Sequence, residues 1–365
     1  EVFLRFVAGL SSPRTAWILE EFLGKFPHQT ICRVIDWVKE EVKRRAGNTG
    51  SEADKRRLLN TLHYLFESQN PALAQQTLGS VETLSFSGLG LTPIDCAVLS
   101  HAIRPCDTIK HLDLGNCRIQ CEGLQRLGPV LHKCQYLGLG DNDLGDSGVK
   151  LVSDALRNPD CKIQTLRLYS VGLTDSGAED LVSALSTNHT VTELDLSGNE
   201  LGDSGVKLVS DALRNPDCKI QTLRLDSVGL TDSGAEDLVS ALITNHTVTE
   251  LYLSGNKLGD SGVKLVSDAL RNPDCKIQRL GLDSVGLTDS GAEDLVSALS
   301  TNTSLTELDL MGNSLTDRCV PALRRLILTL PSLERIWLRV NKFSADGQNQ
   351  LKSLRGTRRG LSVGV

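Results

Sequence analysis

The 365 residues include 39 Lys and Arg against 45 Asp and Glu, for a formal net charge of −6, and 40% of them are hydrophobic. That is ample apolar material for a large core, and the near-even charge balance removes any general reason to expect nucleic acid or an anionic membrane as partner. No apolar run reaches the roughly 20 residues that a membrane-spanning helix needs.

The chain opens Glu1-Val2-Phe3-Leu4-Arg5-Phe6, with no initiator Met and none of the tripartite pattern of a signal peptide, so it is expected to be cut from within a longer protein. Residues 1–80 do not repeat and read as a helical module. Two helices, around 3–7 and 17–23, are broken at Ser11-Ser12-Pro13. Ile31, Val34, Ile35, Val38 and Val42 form a helical stripe that runs into the mixed-charge segment 39–45, which reads as a solvated face. A polar break over 46–54 precedes a long helix from about Lys55 to Ser68, with Leu58, Leu62, Leu65 and Phe66 inward, and a short helix over 71–78.

From residue 81 the chain becomes periodic. Ten short L-x-L segments recur, their first apolar residues being Leu84, Leu112, Leu137, Leu166, Leu194, Leu223, Leu251, Leu280, Leu308 and Ile336, with steps that settle to alternating 28 and 29 residues. Between Leu144 and Ser314 one 57-residue unit is written three times, each copy holding one half that opens LGDSGVKLVSDAL and one that opens LTDSGAEDLVSAL. This period, with L-x-L-x-x-N-x-L inside it, is the leucine-rich-repeat signature. The L-x-L segment is a short strand with alternating faces, and Ala178, Leu181, Val182 and Leu185 mark a helix. Neither element buries its apolar side alone, so the coils must stack. The expected fold is an α/β leucine-rich-repeat horseshoe over 81–365, of ribonuclease-inhibitor type and about ten repeats, with parallel strands concave and helices convex. A closing repeat from Trp337 ends in a frayed basic tail carrying Lys352, Arg355, Arg358 and Arg359.

Five places past each strand start a residue should turn inward: Leu89, Cys117, Asn142, Val171, Asn199, Val228, Asn256, Val285, Asn313 and Asn341. A buried Asn amide can satisfy loop backbone groups, whereas Val cannot, so the Val-type coils need another device, such as tight turns at Gly172, Gly229 and Gly286. Cys161, Cys218 and Cys275 recur on every second strand, about 10 Å apart and beyond disulfide reach, which suits reduced thiols in a cytosolic protein. The sequons at Asn188, Asn245 and Asn302 read as turn residues between helix and strand rather than glycan acceptors.

The 28/29 alternation with long helices resembles the ribonuclease-inhibitor subclass of leucine-rich repeats, with Val where that inhibitor's longer repeats usually carry Cys. FLRFVAGLSS at 3–12 and LLNTLHYLFESQNPALAQQTL at 58–78 resemble the last helical region of NOD-like receptors, between the nucleotide-binding NACHT module and the repeats, with LHYLFESQ similar to the pyrin-containing branch. IWLRVNKFSADGQNQLKSL at 336–354 resembles the closing repeat of such receptors. The resemblance implies a cytosolic arm of an innate immune receptor. That arm would bind a protein partner or the receptor's own NACHT module, would hold the receptor autoinhibited, and is open to self-association. No G-x-x-x-x-G-K-[ST] is present, so nucleotide would belong to a module outside this chain and no cofactor is assigned to it.

No hydrolase or metalloprotease motif occurs, and no enzymatic activity is expected. Cys96, His101, Cys106, His111, Cys117, Cys121, His132 and Cys134 cluster in sequence, but the inward register of Cys117 and the helical place of Cys96 split them between walls, so no metal is assigned. The informative signal is where the copies disagree. The first two differ at Tyr169/Asp226, Ser186/Ile243, Asp195/Tyr252 and Glu200/Lys257, and the third adds Thr222/Arg279, Arg224/Gly281 and Ser254/Met311 among its changes. The helix residues Lys207, Asp211, Glu236 and Asp237 are the same in every copy. Variation therefore gathers on the outward strand positions. The candidate partner-binding set is Arg167, Tyr169, Asp195, Arg224, Asp226 and Tyr252, continuing through Asp283, Asp309, Met311, Trp337 and Arg339. Two other readings share the fold: a ribonuclease-inhibitor-like protein that blocks an enzyme, and a homo-oligomeric repeat scaffold.

Overall fold

A computed structural model of the chain describes residues 5, 8, 9, 12, 21, 28–47, 49–358 and 360–365. The two helices expected before residue 24, and Arg359 of the tail, fall largely or wholly outside the described residues. The chain forms two compact units, 1–171 and 172–365.

The first unit begins with helices α1 (His28–Ala46), α2 (Glu52–Ser68) and α3 (Pro71–Leu78). Helix α2 starts earlier than its apolar stripe does, because Ser51 caps it by accepting from the Asp54 amide. Leu58, Leu59, Leu62 and Leu65 of α2 are buried, and Trp37 of α1 lies against Tyr64 with ring centroids 5.7 Å apart. Strands β1 (Thr83–Ser85), β2 (Ile109–Asp113), β3 (Cys134–Gly138) and β4 (Thr165–Arg167) follow, separated by helices α4 (Pro93–Ile103), α5 (Cys121–Leu131) and α6 (Gly145–Leu156). The strands are parallel in chain order, with Leu84, Leu112, Leu137 and Leu166 in register. Helix α2 also packs on α4. There His63 Nε2 lies 2.9 Å from Asp95 Oδ1, both residues buried, while Asp95 also closes a capping box with Thr92. Burial pushes the Asp95 carboxyl up, but the His63 imidazole and the Thr92 amide and hydroxyl outweigh it and hold it at about 2.

The second unit contains α7 (Asp175–Leu185), β5 (Glu193–Asp195), α8 (Gly202–Leu213), β6 (Thr222–Arg224), α9 (Asp232–Thr244), β7 (Glu250–Tyr252), α10 (Gly259–Leu270), β8 (Arg279–Gly281), α11 (Asp289–Leu299), β9 (Glu307–Asp309), a 3-10 turn with α12 (Val320–Thr329), β10 (Arg335–Trp337), α13 (Ala345–Lys352) and β11 (Ser362–Gly364). One ladder of buried residues, Leu194, Leu223, Leu251, Leu280, Leu308, Ile336 and Val363, runs through its parallel strands. Each full burial contributes about 1.5–3 kcal/mol, which only stacking supplies. The tail is not frayed. Residues 362–364 pair with β10, Val363 is buried, and Arg355 Nε donates to the Val363 carbonyl at 2.7 Å. Each unit is an α/β leucine-rich-repeat solenoid.

The coils are tied by three recurrent polar devices. First, the inward Asn serves the coil before it. Asn256 Oδ1 accepts from the Val228 and Leu230 amides at 3.1 and 3.0 Å, and its Nδ2 donates to the Leu225 and Leu253 carbonyls at 2.7 and 2.8 Å. Asn313 repeats this on Val285 and Leu287, and Asn142 on Cys117 and Ile119. The Val-type coil thus borrows its neighbour's amide. The turns at Gly229 and Gly286, both at φ +80°, reverse the chain but are not the device that satisfies these groups. Second, Asp203 takes the Thr231 amide at 2.8 Å and the Thr231 hydroxyl at 2.7 Å. Asp260 holds Thr288, and Asp289 holds Thr316, in the same way. A Cβ on Gly234 would lie 2.2 Å from Asp203 Oδ1, so the Gly of D-S-G makes room for the Asp of the preceding coil. Third, the buried Asn245 accepts from the Thr247 and Val248 amides at 2.9 Å each and donates Nδ2 to the Leu213 carbonyl at 2.9 Å. Asn302 does the same on Leu270. These sequons are structural turns whose amide nitrogens are already engaged.

Candidate partner-binding face

On the L-x-L strands the residue between two inward apolar residues points away from the core. In the first unit this places Arg167 on β4, with Tyr169 two residues on, both half-buried. The Tyr169 ring lies flat on Gly140, where a Cβ would come within 2.3 Å of it. Three residues that the comparison of copies did not reach share this face. His111 and Tyr136 are register partners and stack with centroids 3.9 Å apart and planes 10° apart. Asp113 accepts from the Gly115 amide at 3.0 Å and from the Ser85 hydroxyl at 3.1 Å. The signal for Asp113 was its place in Leu112-Asp113-Leu114, while His111 and Tyr136 stand just before the first leucine of their segments. They lie before Leu144, where no duplicate exists to compare.

In the second unit the outward residues form rows across the sheet. The first row is Glu193, Thr222, Glu250, Arg279, Glu307 and Arg335. Arg279 reaches Glu250 at 2.5 Å and Glu307 at 3.2 Å, and Arg335 reaches Glu307 at 2.5 Å. The next row holds Asp195, Arg224, Tyr252, Gly281, Asp309 and Trp337. Arg224 sits over Tyr252, its Cζ 3.8 Å from the ring centroid, and the Tyr252 hydroxyl donates to Glu250 at 3.1 Å. Asp226, Asp283, Met311 and Arg339 lie two residues further along. Asp226 accepts from the Ser254 amide at 2.8 Å, and Asp309 from the Met311 amide at 2.9 Å. Burial pushes the Asp226 carboxyl above the usual carboxylate range, against the pull of the Ser254 amide and Arg224. Burial also raises Asp309 against the Met311 amide, with Asp283 and Asp226 adding to it.

Most of the expected set is half-buried and Arg339 is exposed, as outward strand residues should be. Asp195 is the departure. It is 7% exposed, and it accepts from the Ser197 amide at 3.1 Å as a carboxylate two residues before a turn amide can. Among the differences between copies, Ile243 also departs, standing 43% exposed near the end of α9 on the helix side. Helix-side charges pair among themselves: Lys207 Nζ lies 3.7 Å from Asp237, and Arg214 and Arg271 hold Asp211 and Asp268. Among the described residues no group of three or more His, Cys, Asp or Glu is placed to hold a metal, and no helix is long and apolar enough to cross a membrane.

Comparison with known proteins agrees with this geometry. The Leucine Rich repeat family model matches residues 106–128, 187–210, 244–267 and 301–318. The chain is 37% identical over 263 residues to mouse NACHT, LRR and PYD domains-containing protein 14, covering 69% of this chain and 26% of that protein. It is 38% identical over 287 residues to human NACHT, LRR and PYD domains-containing protein 12, covering 77% and 27%. It is 30% identical over 363 residues to human NACHT, LRR and PYD domains-containing protein 3, covering 88% and 34%. The chain thus spans about a quarter to a third of the length of these relatives. Among solved structures, the Caenorhabditis elegans tropomodulin C-terminal domain aligns over 42% of this chain and 92% of its own at 14% identity and a TM-score of 0.36, too loosely to carry an argument. Stacked coils, the Asn ladder and these relatives together identify the chain as a leucine-rich-repeat region of the NOD-like-receptor type, a protein-interaction fold.

Proposed function

We propose that this chain is the partner-binding and autoinhibitory arm of a cytosolic NOD-like receptor acting in innate immunity. Residues 1–80 would end the helical region that follows the NACHT module, and 81–365 would form the repeat arm. The observation that supports this reading most is the contrast between the two sides of the repeats. Substitutions among near-identical copies fall mainly on outward strand positions and their edge, while helix-side charges are invariant and self-paired. Tyr, Trp, Arg and Met, the residue types enriched at binding hot spots, stand on the variable side.

In this reading the strand face holds either a protein partner or the receptor's own NACHT module. A ligand that favours the released arrangement shifts the receptor by its differential affinity for the two states. The test is charge reversal in the full-length receptor. Arg224→Glu and Arg167→Glu weaken capture of the NACHT module or partner and raise the assembled fraction in sedimentation, whereas Lys207→Glu and Lys264→Glu leave both unchanged. Equal effects from the two pairs would contradict the assignment of the strand face.

A further inference from the structure

In the second unit the residue just before each inward ladder position has a left-handed backbone. Gly198, Gly255 and Gly312 take this place in the Asn-type coils, at φ +68°, +70° and +62°. Ser227 and Ser284 take it in the Val-type coils, at φ +53° and +54°. The last coil carries Val340 there, at φ +59°. Glycine adopts this region freely, whereas a β-branched side chain is strained in it. Of the described non-glycine residues with positive φ, Val340 alone is β-branched. No packing offsets the strain, because Val340 is 77% exposed. The fold does leave room for it. A Cβ on Gly255 would lie 2.3 Å from the Ser227 hydroxyl of the coil before, and one on Gly312 2.4 Å from that of Ser284. Ahead of Val340 the corresponding residue is Gly312, which has no side chain to clash. Room permits a valine here but does not call for one.

The surroundings of Val340 differ in charge as well. Arg339 and Lys342 flank it, both exposed, and neither side chain has an ion-pair partner among the described residues. The same two places hold Ser197 and Glu200, Ser254 and Lys257, and Met311 and Ser314 in the earlier Asn-type coils, so only the last coil is basic at both. Met311 stands beside Arg339, where the Gly312 amide donates to the Arg339 carbonyl at 3.1 Å. Trp337 lies two residues back on the same face, against the bare Gly364, where a Cβ would come within 3.1 Å of the ring. The Asp309 carboxylate, on the register partner of Trp337, is turned to the Met311 amide at 2.9 Å. A strained aliphatic tip held in solvent between two unpaired cations has no role in packing and selects for an acidic, apolar-tipped ligand.

We propose that this last outgoing loop receives an acidic segment of a partner protein, with an aliphatic side chain against Val340 and the carboxylates on either side of it paired with Arg339 and Lys342. This names the partner's chemistry at one end of the strand face and rests on that face binding protein.

Met311 is the chain's 1 methionine, and Trp337 is one of 3 tryptophans, with Trp17 and Trp37 outside the repeats as controls. Methyl-labelled methionine and fluorotryptophan in the intact chain therefore report this place by NMR. The probe is acetyl-Glu-Leu-Glu-amide, compared with acetyl-Gln-Leu-Gln-amide, which keeps the shape and loses the charge. The acidic peptide should shift the Met311 methyl and Trp337 signals saturably at millimolar concentration and leave Trp17 and Trp37 in place. The Gln peptide should bind about fivefold more weakly, and Arg339→Gln with unchanged circular dichroism should weaken the acidic peptide about twofold, as expected for exposed ion pairs. Val340→Gly should weaken it about fivefold through lost apolar contact. The same variant should raise the urea midpoint, since glycine relieves the left-handed strain. That opposite movement separates a binding role from a structural one. Equal response to the two peptides, no shift at Met311, equal movement of all three tryptophans, or a lower urea midpoint in Val340→Gly would overturn the proposal. Because no NACHT module or natural partner enters the titration, its failure would leave the wider reading of the strand face to charge reversal at Arg167 and Arg224.

Discussion

Replacing Asn256 by Val is the sharpest test of how these coils hold together. Val is the residue that the alternate coils carry at the same place, so the substitution respects shape, burial and local precedent. It removes two hydrogen bonds accepted from Val228 and Leu230, two donated to Leu225 and Leu253, and a longer one to the Ser254 carbonyl at 3.5 Å. Asn256 is 3% exposed, so water does not replace them readily. At a net value of about 1 kcal/mol per bond, with the two stranded amides adding desolvation cost, the loss should be about 3–5 kcal/mol. Lys257→Ala, one residue away and exposed, should stay within about 0.5 kcal/mol. Repeat arrays need not unfold in one step, so the denaturation midpoint should be read together with amide hydrogen exchange. The amides of Val228 and Leu230 should lose protection first. A loss below about 1 kcal/mol with both amides still protected would refute the idea that each Val-type coil depends on its neighbour's Asn.

Other consequences follow from the same geometry. Gly234→Ala should destabilise the second unit by about 1–3 kcal/mol through its clash with Asp203, measured by denaturant titration, whereas Gly128→Ala, with open space at its Cβ, should not. The Asp95 carboxyl, held at about 2, is depressed relative to its unfolded value near 4, so its stabilisation is present above pH 4 and is lost as pH falls toward 2. Acid titration of wild type and Asp95→Asn should therefore converge in that window, with a difference of about 1–2 kcal/mol above it. Burial pushes the Cys96, Cys117, Cys134 and Cys319 thiols up to about 12 and Cys106 to about 11. A thiol reagent at pH 8 should label only the half-buried Cys32 and Cys121 quickly in the native chain and all ten thiols after denaturation. Arg279→Thr, which restores the residue of the earlier copies, should cost about 1 kcal/mol or less and cost less still in high salt, since it removes the Arg279 ion pairs with Glu250 and Glu307 while Arg335 keeps Glu307 paired.

The sequence revealed most of the fold because repetition states each rule several times. The residues that open the ten L-x-L segments all lie within observed strands, and the inward ladder from Leu89 to Asn313 is buried residue by residue. Less legible was anything that depends on which coil answers which. The Val-type coils had a visible deficit but no visible donor, since Asn256 lies 28 residues beyond Val228. The His63–Asp95 pair joins a helix of the non-repeating module to the first repeat helix, and no periodicity links them. β11 was hidden because Ser362-Val363-Gly364 lacks the leucines of the other strands. At the candidate face, duplication singled out Arg224, Tyr252 and Asp226 but was silent before Leu144, where His111, Asp113 and Tyr136 lie. Asp195 sits on an outward position yet is 7% exposed, a difference from Asp309 that the repeat pattern does not show.

The most direct test of the strand face is site-specific photo-crosslinking in the full-length receptor. A benzophenone amino acid would replace Tyr252 on the strand side or Lys207 on the helix side, with products mapped by mass spectrometry. The account predicts crosslinks from position 252 to the NACHT module in the resting state, lost on activation, and none from 207. Crosslinks from 207 alone, or equal yields from both, would contradict it.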